Sequence, residues 1–513
     1  MCKNGHTMKG LFLILYLLIC MQVFSVAQHI SYSEPLREDS RDMNFDIIGK
    51  LNANILVFKN ERWKYAVSVY NNNMELKEKI KLDFMPEKTF NVDFVAYPDY
   101  FFLIYQYQKR GIVYCMSVKM DANGHTLTEP VQLDTTQVGL LEDNKIYATV
   151  NSDDKQRIMV FKIQKKHERF NFVTFLYDNQ LRLLHKTRQE IEYDDRKEVY
   201  SDFLLDNEGN FVFAKSVKSG NRDYLSSLNL VTKGALEDNF TARKIELKEK
   251  YIDEVKIKID NINKRYLFNS FYYTERRGNI EGIYCSVWDI KGDSSYANIF
   301  TPFDDSIRAD AKSTGNPRYA FNEFYIRSIL LKKDGGYILT AENYSTQTNG
   351  SRGLDRWNYL YNSPAINANS YYYNNPAYSW YYRPLNSFNN NLGTTYYYNN
   401  ILVLGISNKA EPQWSNIIHK EQYSDESDNF LSFNTFNTGG DIHFLFNNTV
   451  EKRDRLISDY IVAPDGSIIR NPTIKSYEKG YEFMPRFGRQ VGARQIIIPC
   501  TFRNRICFAK VDF

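Results

Sequence analysis

Several things are scarce in this sequence, and each scarcity excludes something. Six cysteines among 513 residues are too few for a disulfide-built scaffold. The histidines after residue 27 are as sparse: His29, His125, His167, His185, His419 and His443 stand apart, with no two at a metal-ligand spacing. HExxH, CxxC, G-x-S-x-G and P-loop sequences are missing, and so are Asp boxes of the sialidase kind. No metal and no cofactor are therefore expected. Charge of one sign is lacking too, since 65 Lys and Arg stand against 61 Asp and Glu, a formal net charge of +4. A balanced chain with both signs interspersed has no footprint for nucleic acid or for an acidic membrane surface. Apolar stripes at helical spacing are weak, so little helix is expected.

The one long apolar run lies at the start, in "MCKNGHTMKGLFLILYLLICMQVFSVAQ". Lys9 precedes an apolar core at 11–19, and Ser25-Val26-Ala27 is a small-x-small exit. Residues 1–27 thus read as a secretory signal peptide cut after Ala27, with Met8 as an alternative start. Cys20 follows Ile19 and not the small residue of a lipobox, so lipidation is not expected. The core is shorter than the roughly 20 residues a membrane span takes, and no later segment is apolar for long enough. The expected product is a monomer of about 486 residues, secreted or held in the cell envelope, in the periplasm or on the outer surface. Four cysteines remain in it. In "PCTFRNRICF" a two-residue turn at Arg503-Asn504 sets Cys500 opposite Cys507, about 5.5 Å apart at Cα in a hydrogen-bonded pair. A disulfide is expected there, with two buried thiols as the alternative.

Aromatic side chains are abundant, with 39 Tyr and 34 Phe. Short runs of alternating polarity dominate, punctuated by Gly, Asn and Asp turns, and they read as strands. The strands recur in fours, as in "FDIIGK", "NILVFKN", "KYAVSVYN" and "MELKEKIKL". Glycine-led second strands return in "DNEGNFVFAKS", "KKDGGYILTAEN" and "NTGGDIHFLFN". About eight units begin near residues 46, 92, 139, 200, 253, 322, 428 and 482, most of them about 45 to 65 residues long. A four-stranded unit at that period is the signature of a β-propeller blade, so the expected fold is an all-β propeller of about eight blades, with seven possible. A pair of β-sandwiches is the competing architecture. The last unit offers three strands, and "HISYSEPLRE" is a spare segment to close the ring as its outer strand. Cys115 and Cys285 hold equivalent places in blades three apart and are expected to be free and buried.

In the sixth unit about fifty residues separate the second strand from the third, where a hairpin needs two to five. This insertion, 346–398, contains "NSYYYNNPAYSWYYRPLNSFNNN". Trp357, Tyr371, Tyr372, Tyr373, Tyr378, Trp380, Tyr381 and Tyr382 would offer rigid aromatic faces with polar tips, suited to a sugar or a protein. A lid over the propeller face, or a plain spacer, is the bland alternative. The stretch "WSNIIHKEQYSDESDNFLSF" links the sixth and seventh units, and Lys420, Gln422 and Asp425 are candidate walls of a polar pocket. Arg486 and Arg489 are a further candidate wall, able to grip a carboxylate. Asp304, Asp305 and Asp310, like the acids at 425–428, read as solvated acidic turns.

The runs "DGGYILTAENYS" and "WSNIIHKEQYSD", the Tyr-rich insertion and the ending "IIIPCTFRNRICFAKVDF" resemble uncharacterised exported propeller-like proteins of Bacteroidetes. The resemblance covers mainly the last two hundred residues. It implies a bacterial envelope or secreted setting and brings no residue roles. The expected function is non-catalytic binding of an envelope protein or a glycan. The alternatives are a polysaccharide-acting hydrolase or lyase with its site at the central channel, and a purely structural scaffold.

Overall fold

The computed structural model describes residues 29–35, 43–89, 91–139, 146–166, 169–194, 197–220, 224–276, 278–312, 316–348, 351–352, 394–425, 427–448, 456–474 and 480–513. Each expected unit is a blade of antiparallel strands, which run in sequence from the innermost outward. Blade 1 comprises Met43–Leu51, Asn54–Glu61, Lys64–Tyr70 and Leu76–Lys81, and blade 2 Asn91–Ala96, Tyr100–Lys109, Ile112–Asp121 and Val131–Gln137. Blade 3 comprises Tyr147–Asn151, Arg157–Lys166, Arg169–Asp178 and Leu183–Glu192. Blade 4 has Glu198–Leu205, Phe211–Lys218, Leu225–Lys233 and Thr241–Ile245, and blade 5 Lys256–Asp260, Arg265–Tyr273, Gly282–Asp289 and Ser294–Pro302. Blade 6 has Phe324–Leu331, Tyr337–Thr348, Thr394–Ile406 and Pro412–Ile418, and blade 7 Phe433–Asn437, Ile442–Asn447, Ile457–Val462 and Ile468–Arg470. Blade 8 takes its inner strand in two pieces, Tyr481–Phe483 and Arg489–Gly492, followed by Gln495–Phe502 and Arg505–Asp512.

The fourth strand of blade 8 is His29–Tyr32, in register from His29↔Asp512 to Tyr32↔Ala509. The segment expected to close the ring does so. Ser33 extends the join, its N–H donating to the Phe508 carbonyl and its Oγ accepting from the Phe508 N–H, both at 2.9 Å.

Blades are apolar on both faces because each face meets a neighbour. The central strands are accordingly buried along nearly their whole length, as in Asn54–Glu61 and all of Arg265–Tyr273. The rim strand Leu76–Lys81, "LKEKIK", is mostly exposed and charged, which blunts its open edge. The buried apolar residues fall into eight clusters, one at each seam between consecutive blades. The eighth seam packs Phe45, Ile47, Ile55 and Val57 of blade 1 on Ile497, Ile506 and Phe508 of blade 8, so the ring is complete. Blades 4 and 5 are further joined into one sheet, because Tyr251–Ile252 pairs with strands of both.

Among the described residues three short helical pieces interrupt the strands: Asp305–Ala311, Pro317–Tyr319 and Pro485–Phe487. The helix Asp305–Ala311 packs Ile307 and Ala311 into the seam between blades 5 and 6, and its N-cap Asp304 accepts from the Ile307 N–H at 2.9 Å. The acidic turn expected here is thus a capped helix start. Arg503 and Asn504 both take positive φ, 50° and 62°, as a two-residue hairpin turn requires. They set Cys500 opposite Cys507 with the sulfurs 2.9 Å apart and unbridged. Cys115 and Cys285 are free, buried and on the third strands of blades 2 and 5.

Because strands alternate in direction, the hairpins between second and third strands and the connections between blades leave on one face, the upper face. It carries the blade 6 hairpin as far as Thr348 and Thr394, and the connection 419–425 and 427–432.

Ile30 is 7% exposed in the seam between blades 7 and 8, whereas Ile262 is 88% exposed on a turn. Ile30→Ala is expected to cost about 2 to 4 kcal/mol in denaturant unfolding, and Ile262→Ala nothing measurable. Equal effects would contradict closure by this strand.

Candidate functional site

The second and third strands of blade 6 are the longest strands among the described residues. Their ladder continues past a bulge at Asn343 through five further pairs, from Tyr344↔Tyr398 to Thr348↔Thr394. At about 3.3 Å per residue this carries the hairpin roughly 16 Å further along the upper face. The run "TTYYY", Thr394 to Tyr398, is made of strong strand formers, which is why it pairs instead of looping. Ser351–Arg352 folds back onto Gln347 and Thr348, and Tyr423–Ser424 adds a short strand on the other side against Tyr396 and Tyr397. The ladder therefore occupies both ends of the expected insertion 346–398, and its core is 349–393. Tyr344 lies with its ring centroid 4.7 Å from that of Tyr398, Tyr397 lies 6.3 Å from Tyr423, and Tyr423 is 59% exposed. Trp357, Tyr371, Tyr372, Tyr373, Tyr378, Trp380, Tyr381 and Tyr382 lie outside the described residues.

Beneath the hairpin, three of the expected wall residues meet in a buried polar knot. Lys420 is buried, its ammonium 2.8 Å from Glu342 Oε1, and donates to the Tyr398 carbonyl at 2.8 Å and to Gln422 Oε1 at 3.1 Å. Burial pulls the ammonium below its ordinary pKa, and Glu342 opposes that shift. Glu342 Oε2 accepts from Ser432 Oγ at 2.7 Å and from Arg327 Nε at 3.1 Å. Gln422 also accepts from the Ser432 N–H and donates to the Asn447 carbonyl, both at 2.7 Å. Arg486 donates to the Tyr398 hydroxyl at 2.9 Å and to Asp428 Oδ2 at 3.0 Å, and Tyr398 donates to the same oxygen at 2.8 Å. Burial, helped by Asp428, pushes the Tyr398 phenol well above its ordinary range.

The knot ties blades 6, 7 and 8 together and gives these residues internal partners, while Lys420 also lines a polar cleft between blades 6 and 7. The side chains of Lys420 and Gln422 are spent on internal partners because the connection between blades folds under the hairpin. Arg486 and Arg489 do not share an acid: Arg489 donates to the Ile47 carbonyl at 2.6 Å and stands 3.8 Å from Asp46, on the blade 1 side. Asp425 is exposed and accepts from Thr395 Oγ1 at 2.8 Å. Asp310 pairs with His419 at 3.0 Å. Among the described residues no three His, Cys, Asp or Glu side chains converge as metal ligands would. Glu342, Arg327 and Tyr398 were missed in the sequence. The signal for Glu342 was a carboxylate inside the apolar run "YILTAEN", and Arg327 sits at a bulge in its strand.

Beside the knot, a polar cleft of about 430 Å³ opens between blades 6 and 7. Asn400, His419 and Glu421 form one wall and Asn448, Tyr460 and Arg470 the other, with Lys420 and Asn447 also in its lining. Elsewhere, two carboxylates on innermost strands are perturbed. Burial pushes Asp93 up to about 7, with Asp46 adding to the shift while Thr149 and Asn91 oppose it. Burial pushes Asp202 up to about 6, against the pull of Lys256 and of the Ile257 N–H.

No protein-family model and no curated protein matches the sequence. Among solved structures the chain is similar to prolyl oligopeptidase B from Galerina marginata, at 7% identity and a TM-score of 0.41, over 91% of this chain and 56% of that one. It is similar to a polysaccharide lyase at 10% identity and 0.39, over 82% and 89% of the two chains. A third similarity, to an ulvan lyase, stands at 11% and 0.34, over 81% and 90%. The chain spans about half the length of the peptidases it matches. Identities and scores this low carry no residue role across.

Glu342→Gln leaves a buried ammonium without its counter-charge and is expected to cost about 3 kcal/mol. The double variant Glu342→Leu with Lys420→Met should regain part of that loss, and additive losses would show that the two residues do not act as a pair. Asp93 gives a pH test. Its folded value of about 7 lies above the ordinary value of 3.8, so its contribution is intact below about 4 and is lost as pH rises through 7. Asp93→Asn should therefore gain stability over the parent protein between pH 5 and pH 8, on the order of 2 kcal/mol. A pH-independent difference would contradict the shift.

Proposed function

We propose that this protein is an exported, non-catalytic binding propeller that recognises an envelope glycan or protein on its upper face. The carrying observation is the blade 6 hairpin, whose ladder runs on to Thr348 and Thr394 and bears the partly exposed Tyr344, Tyr396 and Tyr397. Tyrosine supplies contact area at low entropy cost and a hydroxyl to hydrogen-bond. The knot beneath fixes the hairpin on a rigid base. Export rests on the reading of residues 1–27, and the protein acts as a monomer in this reading.

A second reading is a polysaccharide-acting enzyme working at the channel. Asp93 and Asp202 favour it, because carboxyls shifted toward neutrality on innermost strands suit proton transfer.

The test compares the chain from Gln28 with and without 349–393, on a bacterial glycan array and in an envelope-extract pull-down. The intact protein is expected to capture a partner that the shortened one binds at least tenfold more weakly. Equal capture by both would move recognition off the hairpin. Glycan cleavage that survives the deletion and vanishes in Asp202→Asn would establish the second reading instead.

A further inference from the structure

We propose that the cleft between blades 6 and 7 binds an acidic sugar, a uronate unit whose carboxylate is taken by Arg470. This deepens the binding reading above and rests on it.

Arg470 ends the outer strand of blade 7, is exposed, and lies directly across from Tyr460. Its guanidinium carbon stands 5.7 Å from the centre of the Tyr460 ring. That ring is itself stacked on the buried Phe446, at 5.4 Å between centroids and 16° between planes. The arginine thus lies beside a ring packed on the core, and its planar guanidinium can offer two parallel donors to a planar oxyanion. Among the described residues Arg470 makes no hydrogen bond and no ion pair. Every other arginine or lysine in the knot beside it is tied to an internal acid or carbonyl.

The opposite wall has a different chemistry. His419 pairs with Asp310 and Glu421 stands with it, Asn400 is tied to the Ala311 carbonyl and the Lys420 N–H, and Asn448 and Ser458 complete the blade 7 side. A carboxylate, the Asn448 amide, a hydroxyl and an imidazole together donate to and accept from hydroxyl groups. A bare phosphate or sulfate has no ring hydroxyls to offer these side chains. A neutral sugar would leave Arg470 unmatched. A hydroxylated ring that carries one carboxylate satisfies both walls. The volume of about 430 Å³ falls within the range of small-ligand pockets, about 300–1,000 Å³.

The floor is preformed. Asn447 Nδ2 donates to the carbonyls of Phe430 and Phe483 at 2.8 Å each, and Gln422 holds the Asn447 carbonyl. Binding there orders little that is not already ordered, which favours affinity.

The test titrates the chain from Gln28, by calorimetry, with trisaccharides of galacturonate, glucuronate and mannuronate and with their neutral hexose counterparts. At least one acidic trisaccharide is expected to bind, and its neutral counterpart to bind at least tenfold more weakly. Arg470→Ala should weaken the acidic sugar at least tenfold, and Arg470→Lys by less, with thermal midpoints unchanged because the residue is exposed. The proposal is overturned if no acidic sugar binds, if the neutral sugar binds as well, or if Arg470→Ala has no effect. The cleft shares no residue with 349–393. Uronate binding that persists in the deleted chain would uphold the cleft even if the hairpin reading failed, and partner capture by the hairpin without uronate binding would do the reverse.

Discussion

The closed ring of apolar seams is the constraint on which everything else rests. A blade of this protein is apolar on both faces and cannot be stable in water by itself. Each of the eight seams buries the face of one blade on the next, and the last seam forms only if blade 8 reaches blade 1. His29–Tyr32 supplies the outer strand that makes blade 8 whole and sends Ile30 into the seam with blade 7. Closure leaves only the rim strands as edges, and these are short and, as in Leu76–Lys81, charged.

At the junction of blades 6, 7 and 8 the seam changes character. Glu342, Lys420, Arg327, Ser432 and Gln422 replace apolar packing with a network of ion pairs and hydrogen bonds. Apolar side chains of similar volume would often be as stable or more so. What the network adds is direction. Lys420 holds the third strand of blade 6 at Tyr398, and Tyr398 and Arg486 hold Asp428 on the connection to blade 7. The long hairpin therefore leaves the ring at a fixed place, and the cleft beside it has a rigid floor.

Much of the ring was legible in the sequence, because its signals are local and repeated. Alternating runs marked the strands, and turns such as Asp206 to Gly209, whose glycine has φ +90°, marked their ends. Symmetry then placed Cys115 and Cys285 apart, and hairpin register placed Cys500 against Cys507. What departs from the repeat was not legible. Proline at 485 and the single helical turn Pro485–Phe487 split the inner strand of blade 8, and Tyr251–Ile252 joins two blades through pairings remote in sequence. Lys420 reads as a pocket wall and not as half of a buried pair, because its counter-charge, Glu342, lies on another strand and comes near only when blade 6 is folded. The tyrosines of "TTYYY" pair because Tyr344 to Thr348 is available across from them, which composition alone does not reveal.

Hydrogen exchange with and without a captured partner tests the central claim most directly. If recognition belongs to the upper face of blades 6 and 7, slowed exchange is expected over 394–425 and 446–470, with the inner strands of blades 1, 2 and 4 unchanged. Protection confined to 43–51, 91–96 and 198–205 would contradict it and place binding in the channel.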